Sequence, residues 1–326
     1  MKPGPLRLIH LGVGGRGTWP LELITEPSSK LASQFTAVAL VDINPAALAA
    51  AREVTGLGED RCFGSLDAAI AAVEADAVVV ITSPGMHTAQ CHTAVGAGLH
   101  LLVEKPLTKS LAEAVGIMDA ADAAGVKVMV CQNDRYRSGA DTLAALARSG
   151  SVGQPYFGLM TRFGHRPNVK HSGDDTHAYL WERGIHDFDT ALQMFASAPR
   201  RIWCDSFNPP WSPYKAGAAT TAWIEFASGA RMSFFLTFME PPLEGGSTPA
   251  FGMAPGGGST GGCRVEFPGG TAEFVGQADV DDLAGRWHLH RPGEPTPEIL
   301  EKAEERPLPE SILLGDFYRY LHPSNT

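Results

Sequence analysis

Short, continuous apolar runs punctuate the first 133 residues: Leu6–Leu11, Phe35–Val41, Ala77–Thr82, His100–Val103 and Lys127–Cys131, with a weaker one at Arg61–Phe63. Runs that are apolar throughout, rather than alternating, predict parallel strands buried on both faces. Helix-like stretches with clear boundaries separate them. Asn44-Pro45 supplies an N-cap and a proline at the first helical position ahead of Ala46–Val54. Ser110 and Glu113 form a capping box ahead of Leu111–Ala124, and Gly125 stands where that helix stops. Strand alternating with helix at this spacing implies right-handed crossovers and a doubly wound α/β sheet.

After residue 133 the pattern changes. Tyr156–Phe163, Arg201–Ser206, Thr220–Phe226, Ala230–Phe238, Cys263–Phe267 and Thr271–Val275 read as strands. Ala227-Ser228-Gly229 and Pro268-Gly269-Gly270 suit hairpin turns, so the pairing is expected to be mostly antiparallel. The expectation is therefore two domains, 1–133 doubly wound and 134–326 α+β, the latter with one open sheet face. Pro241–Gly262, rich in Gly, Pro and Ser, is expected to be a mobile loop.

Composition narrows the function classes. The 326 residues carry a formal net charge of -10, which argues against the basic footprint that nucleic acid requires. Five dispersed cysteines without a C-x-x-C pair read as reduced thiols of a cytoplasmic protein. No export signal or membrane-spanning run is evident in the pattern, and no membrane partner is expected.

Chemistry concentrates in a few places. Gly12-Val13-Gly14-Gly15-Arg16-Gly17 fits G-x-G-x-x-G between the first strand and first helix, the placement the motif needs. Gly12 permits the tight turn, Gly14 lets backbone approach a pyrophosphate, and Gly17 lets helix and strand pack closely; the alternative is a ligand-free glycine turn. Asp42 ends the second run, where an acid accepts from the adenosine ribose hydroxyls and repels a 2′-phosphate. With no Arg or Lys immediately after it, NAD is favoured over NADP. Glu104-Lys105-Pro106 closes the fifth run. A lysine there would sit beside the nicotinamide, whose charge and partial desolvation favour the neutral amine and suit it to proton transfer.

The second informative stretch is Trp181–Phe195. Ile185, Phe188, Leu192 and Phe195 are expected to form a buried stripe, with Glu182, His186, Asp189 and Gln193 on its flank. An imidazole between carboxylates at i−4 and i+3 is placed for proton transfer, and a surface ion pair is the alternative. His165, His171 and His177, with Asp174 and Asp175, are spaced poorly for zinc, and no metal is expected.

The Gly12–Gly17 loop, Asp42, Thr82-Ser83-Pro84 with His87, Glu104-Lys105-Pro106 and Glu182-x-x-x-His186-x-x-Asp189 together resemble the glucose-fructose oxidoreductase/inositol dehydrogenase (Gfo/Idh/MocA) family. The resemblance is dense over residues 6–136 and recurs around 180–195. It implies a Rossmann domain that holds NAD, with Gly15 and Arg16 also among the cofactor-binding residues, and a second domain for substrate and oligomerisation. It implies Lys105 and His186 as the catalytic pair, Glu182 orienting His186 and holding substrate, and Asp189 supporting that helix or binding a hydroxyl. By the same resemblance Glu104 reaches the nicotinamide ribose, Lys105-Pro106 is cis, and Thr82, Pro84 and His87 line the nicotinamide pocket. Arg135, Tyr136 and His165 are further substrate-site candidates. Position 182 carries Glu where many members carry Asp.

The activity implied is NAD-dependent oxidation of a secondary hydroxyl of a sugar or inositol-like polyol, in a homodimer or homotetramer packed through the open sheet. Two alternatives use the same fold: a glycosidase that retains NAD and oxidises transiently, and a non-catalytic NAD-binding sensor or co-repressor.

Overall fold

A computed structural model describes residues 4–164, 176–238, 260–275, 286–300 and 308–323. The chain divides into two compact units, Met1–Asn133 with Pro307–Thr326, and Asp134–Arg306. The first unit is built on six parallel strands: β1 (Leu6–Leu11), β2 (Phe35–Val41), β3 (Cys62–Phe63), β4 (Ala77–Val80), β5 (His100–Val103) and β6 (Val128–Val130). Their order is β3-β2-β1-β4-β5-β6, so the direction of winding reverses between β1 and β4. That switch point is where doubly wound sheets open a ligand crevice at their carboxyl edge.

Local signals set the helices α1 (Thr18–Thr25), α2 (Pro45–Thr55), α3 (Leu66–Ala72), α4 (Pro84–Gly96) and α5 (Leu111–Ala124). The Asn44 side chain accepts the Ala46 N–H at 3.0 Å. The Ser110 hydroxyl accepts that of Glu113 at 3.4 Å, and Gly125 closes α5 in the left-handed region. Val78–Val80 and Leu101–Val103 are fully buried, as strands covered on both faces must be.

His10 is the exception in this apolar core. It lies on β1, is 1% exposed, and its Nε2 has no partner among the described residues. Burial disfavours the imidazolium and pushes its pKa from 6.5 down to about 3. The unfolded chain therefore takes up a proton below 6.5 that the folded chain refuses until about 3. The stability His10 contributes is full above the upper value and lost as pH falls through that window, by about 1.4 kcal/mol per pH unit. Urea titrations between these limits should show His10→Met flattening the wild-type slope by about that amount; parallel slopes would contradict the assignment.

The second unit begins with α6 (Ser138–Ser149) and carries an eight-stranded sheet. Its strands are β7 (Phe157–Phe163), β8 (Pro199–Phe207), β9 (Ala219–Phe226), β10 (Arg231–Thr237), β11 (Thr260–Phe267), β12 (Gly270–Val275), β13 (Arg286–His290) and β14 (Glu298–Leu300), in the order β14-β13-β12-β11-β7-β10-β9-β8. Among the described residues of this sheet, only β7 and β10 pair in parallel. One face packs under α6 and α7 (Ile185–Phe195), where Phe195 stacks on Phe226 at 4.7 Å and Phe188 meets Phe234 edge-on. The other face carries Trp203, Phe207, Phe235 and Phe157, each 41–52% exposed. Most of Pro241–Gly262 lies outside the described residues, and its last three residues open β11 rather than a loop.

Two expectations are corrected. The buried residues of α7 are His186, Asp187, Ala191, Met194 and Phe195, while Leu192 is exposed and Ile185 and Phe188 are half-buried. A wide π-turn over Leu180–Gly184 precedes the helix. The chain also returns to the first unit through α8 (Pro309–Leu321), so 134–326 is not one domain. The apolar side of α8 (Leu313, Leu314, Phe317) is fully buried, Phe317 and Tyr318 pack on Phe35 of β2, and the Lys127 ammonium donates to the Tyr320 carbonyl.

Candidate functional site

In the first unit, the loop after β1 turns with Gly12 and Gly15 at positive φ (+84° and +52°). A Cβ on Gly12 would lie 2.2 Å from the Ile81 carbonyl oxygen, and one on Gly17 would lie 1.9 Å from that of Gly12. Both glycines are therefore required by backbone packing. Gly15 differs: nothing lies within 4 Å of where its Cβ would stand. The N–H groups of Gly14 and Gly15 have no partner among the described residues. A glycine cradle with free donors at the carboxyl edge of the sheet fits a pyrophosphate.

Asp42 ties this loop to the end of β2. Its Oδ2 accepts the Val13 N–H and its Oδ1 the Asn44 N–H, each at 2.9 Å. Both oxygens act as acceptors, and the carboxylate is fixed beside Gly14, where a ribose diol can reach it. The residues present thus fit a dinucleotide, with Asp42 in the adenosine half (β1–β3) and the ends of β4–β6 in the nicotinamide half.

In that second half, the Thr82 hydroxyl donates to Gln90 Oε1 at 2.6 Å, and Pro84 opens α4. His87 is wholly buried. Its Nδ1 lies 2.9 Å from the Pro106 carbonyl oxygen and its Nε2 3.1 Å from that of Thr82, and whichever nitrogen carries the proton donates to its carbonyl. His87 is therefore a strut between the ends of β4 and β5. Lys105-Pro106 is cis, and the Lys105 N–H donates to Glu104. Glu104 is 9% exposed, and its Oε1 accepts from Arg16 Nε at 3.2 Å.

In the second unit, Arg135 grips Asp189 with two hydrogen bonds, Nε to Oδ2 at 3.0 Å and Nη2 to Oδ1 at 2.7 Å. These two candidates join the turn Asn133–Tyr136, which also holds Tyr136, to α7. Glu182 lies in the π-turn, so its offset from His186 is not that of a regular helix. His186 opens α7 at 6% exposure. His165 lies outside the described residues, as do His171, Asp174 and Asp175; His177 is exposed.

An ion network stands beside His186 that the sequence did not disclose. Asp187, 2% exposed, accepts from the Tyr179 hydroxyl at 2.9 Å and from Arg162 at 3.0–3.1 Å. Asp134 accepts from Arg183 at 2.7 Å and Arg137 at 2.9 Å. Burial alone would raise the Asp134 pKa; Arg183, His186 and Arg137 hold it well below the usual carboxylate range. His186 thus has Asp134 as a charge neighbour. A cavity of about 90 Å³ lies alongside, lined by Asp134, Arg137, Arg162, Arg183, Thr190 and Trp287 among others. The one available signal was Asp187 itself: a charge on the small-residue stripe Gly184, Asp187, Ala191 demands buried partners.

Residues 9–132 match the model of the oxidoreductase family with an NAD-binding Rossmann fold, GFO_IDH_MocA. That is the family which the glycine loop, Asp42 and Glu104-Lys105-Pro106 resemble. Among curated members, inositol 2-dehydrogenase of Leifsonia xyli subsp. xyli is 31% identical over 59% of this chain and 54% of the relative. D-apiose dehydrogenase of Paraburkholderia graminis is 26% identical over 50% and 44% respectively. The matched stretch thus spans about half the length of these curated relatives. The two-unit fold is shared with an inositol dehydrogenase homolog from Azotobacter vinelandii, solved with NADH and myo-inositol: TM-score 0.76, 20% identity, 97% of this chain and 85% of that one. NAD is the cofactor that this Rossmann fold binds.

Proposed function

We propose that the protein is an NAD-dependent dehydrogenase that oxidises a secondary hydroxyl of a sugar or cyclic polyol. The observation that carries the reading is the open Gly14–Gly15 cradle locked to Asp42, with Glu104-Lys105 at the nicotinamide end. The named relatives, dehydrogenases of inositol and apiose, support the substrate class. When bound, NAD supplies the hydride acceptor. The chain supplies the rest. Gly14 and Gly15 hold the pyrophosphate, and Asp42 holds the adenosine ribose and repels a 2′-phosphate. Lys105 and His186 handle the hydroxyl proton, directly or through water. Glu182 holds substrate and orients His186, and its longer arm relative to Asp bears on substrate choice. Asp189, fixed by Arg135, keeps α7 in place.

The test is reduction of NAD+ by a panel of inositols, hexoses, pentoses and simple glycosides. Turnover with a polyol or free sugar is expected. Glycoside cleavage without net change in NAD would point to the cofactor-retaining glycosidase, and binding without turnover to a sensor.

The open sheet face supports a homo-oligomer. Trp203, Phe207, Phe235 and Phe157 form an apolar patch flanked by Arg201, Glu225 and Arg231, the pattern of a self-complementary interface. Light scattering should find a dimer or tetramer that Trp203→Glu converts to monomer; a monomeric wild type would end this part of the reading.

A further inference from the structure

The C-terminal helix places a carboxylate in the nicotinamide half. Glu310 is the second residue of α8, and its Oε1 accepts from Asn133 Nδ2 at 2.9 Å and Arg16 Nη2 at 3.3 Å. The same guanidinium donates through Nε to Glu104, the residue that ends β5. Arg16 of the glycine loop is thus shared between two carboxylates that are largely buried. Cys131, fully buried just past β6, feels Glu104, Arg16 and Glu310 together, so the cluster stands over the ends of β5 and β6.

Docking of α8 does not need this contact. Leu313, Leu314 and Phe317 are already buried, and Phe35 and Lys127 hold the far end of the helix. What Glu310 changes is charge. Arg16 and Lys105 bring two positive charges to this half, and Glu104 and Glu310 bring two negative ones. Without Glu310 the balance becomes positive where the oxidised nicotinamide, itself a cation, would lie. The reduced ring is neutral and would feel little difference.

We propose that Glu310 is a positioning residue of the cofactor site that, through Arg16, sets the charge of the nicotinamide half and favours NAD+ over NADH. This rests on the NAD reading above. The test is calorimetric titration of NAD+ and NADH into wild type, Glu310→Gln and Glu310→Asp, with melting temperature as a check on folding. Glu310→Gln keeps an acceptor for Asn133 and loses the charge. It should weaken NAD+ binding about threefold to tenfold and leave NADH within about twofold. Glu310→Asp, which keeps the charge, should return the ratio towards wild type. Raised salt should narrow the NAD+/NADH ratio of wild type, a measurement that needs no variant. Equal loss for both nucleotides, or no change in either, would overturn the inference while leaving the cofactor reading intact. Wild type that binds neither nucleotide would instead overturn the cofactor reading itself.

Discussion

Lys105→Met is expected to lower kcat by about 10²- to 10⁴-fold while the Kd for NAD+ stays within about threefold of wild type. The size follows from what the side chain is asked to do. A positioned proton acceptor contributes about that much to oxidation of a hydroxyl, because the alkoxide cannot form unaided at neutral pH. The small effect on binding follows from the fold. On the proposed reading Gly14, Gly15 and Asp42 would hold pyrophosphate and adenosine ribose, and the Lys105 backbone is held by Glu104. Methionine has similar length and no charge, so packing at the end of β5 is kept. Steady-state kinetics with calorimetric titration separates the two quantities. Loss of NAD+ affinity in proportion to kcat would make Lys105 a binding residue, and unchanged kcat would remove it from the chemistry.

The largest stability effect is expected at Asp187. Asp187→Ala should destabilise the second unit by about 3–5 kcal/mol, read as a lower urea midpoint. The carboxylate is 2% exposed and is the shared acceptor of Arg162 and the buried Tyr179 hydroxyl. Removing it takes the counter-charge from a guanidinium that is itself only 13% exposed, in a core where water cannot replace the lost bonds. The double variant Asp187→Leu with Arg162→Met should recover part of the loss, because a buried ion pair replaced by apolar groups of similar volume is often near neutral. A loss below about 1 kcal/mol for Asp187→Ala would mean that the network is solvated, as a surface pair would be.

Much of the first unit was legible because its signals are local. Asn44-Pro45, Ser110 with Glu113, and Gly125 each act within four residues, and short unbroken runs bounded by turns, such as Ala77–Val80, fit strands covered on both faces. The glycine loop and Asp42 were legible for the same reason, since one strand–loop–helix unit carries them. Contacts between distant residues left little trace. Nothing near Phe35 announces that Phe317 and Tyr318 will pack on it, so α8 was assigned to the wrong unit. Glu310 was missed with it. On α7, the buried side is made partly of the polar His186 and Asp187 and the small Ala191, which an apolar count passes over, and the π-turn before it changes the offset of Glu182 from His186. The strut that His87 makes was not legible either. Its neighbours, the carbonyls of Thr82, Pro106 and Leu107, come together only when β4 and β5 pair.

The most direct test follows the hydrogen itself. A polyol or sugar that reduces NAD+ would be labelled with deuterium at the carbinol carbon, and the nicotinamide product analysed by mass spectrometry. Direct transfer predicts one deuterium on the reduced cofactor and slower turnover of the labelled substrate. Reduced cofactor carrying only solvent hydrogen, or label lost from the substrate while NAD+ is returned unchanged, would contradict the account of this protein as a hydride-transferring dehydrogenase.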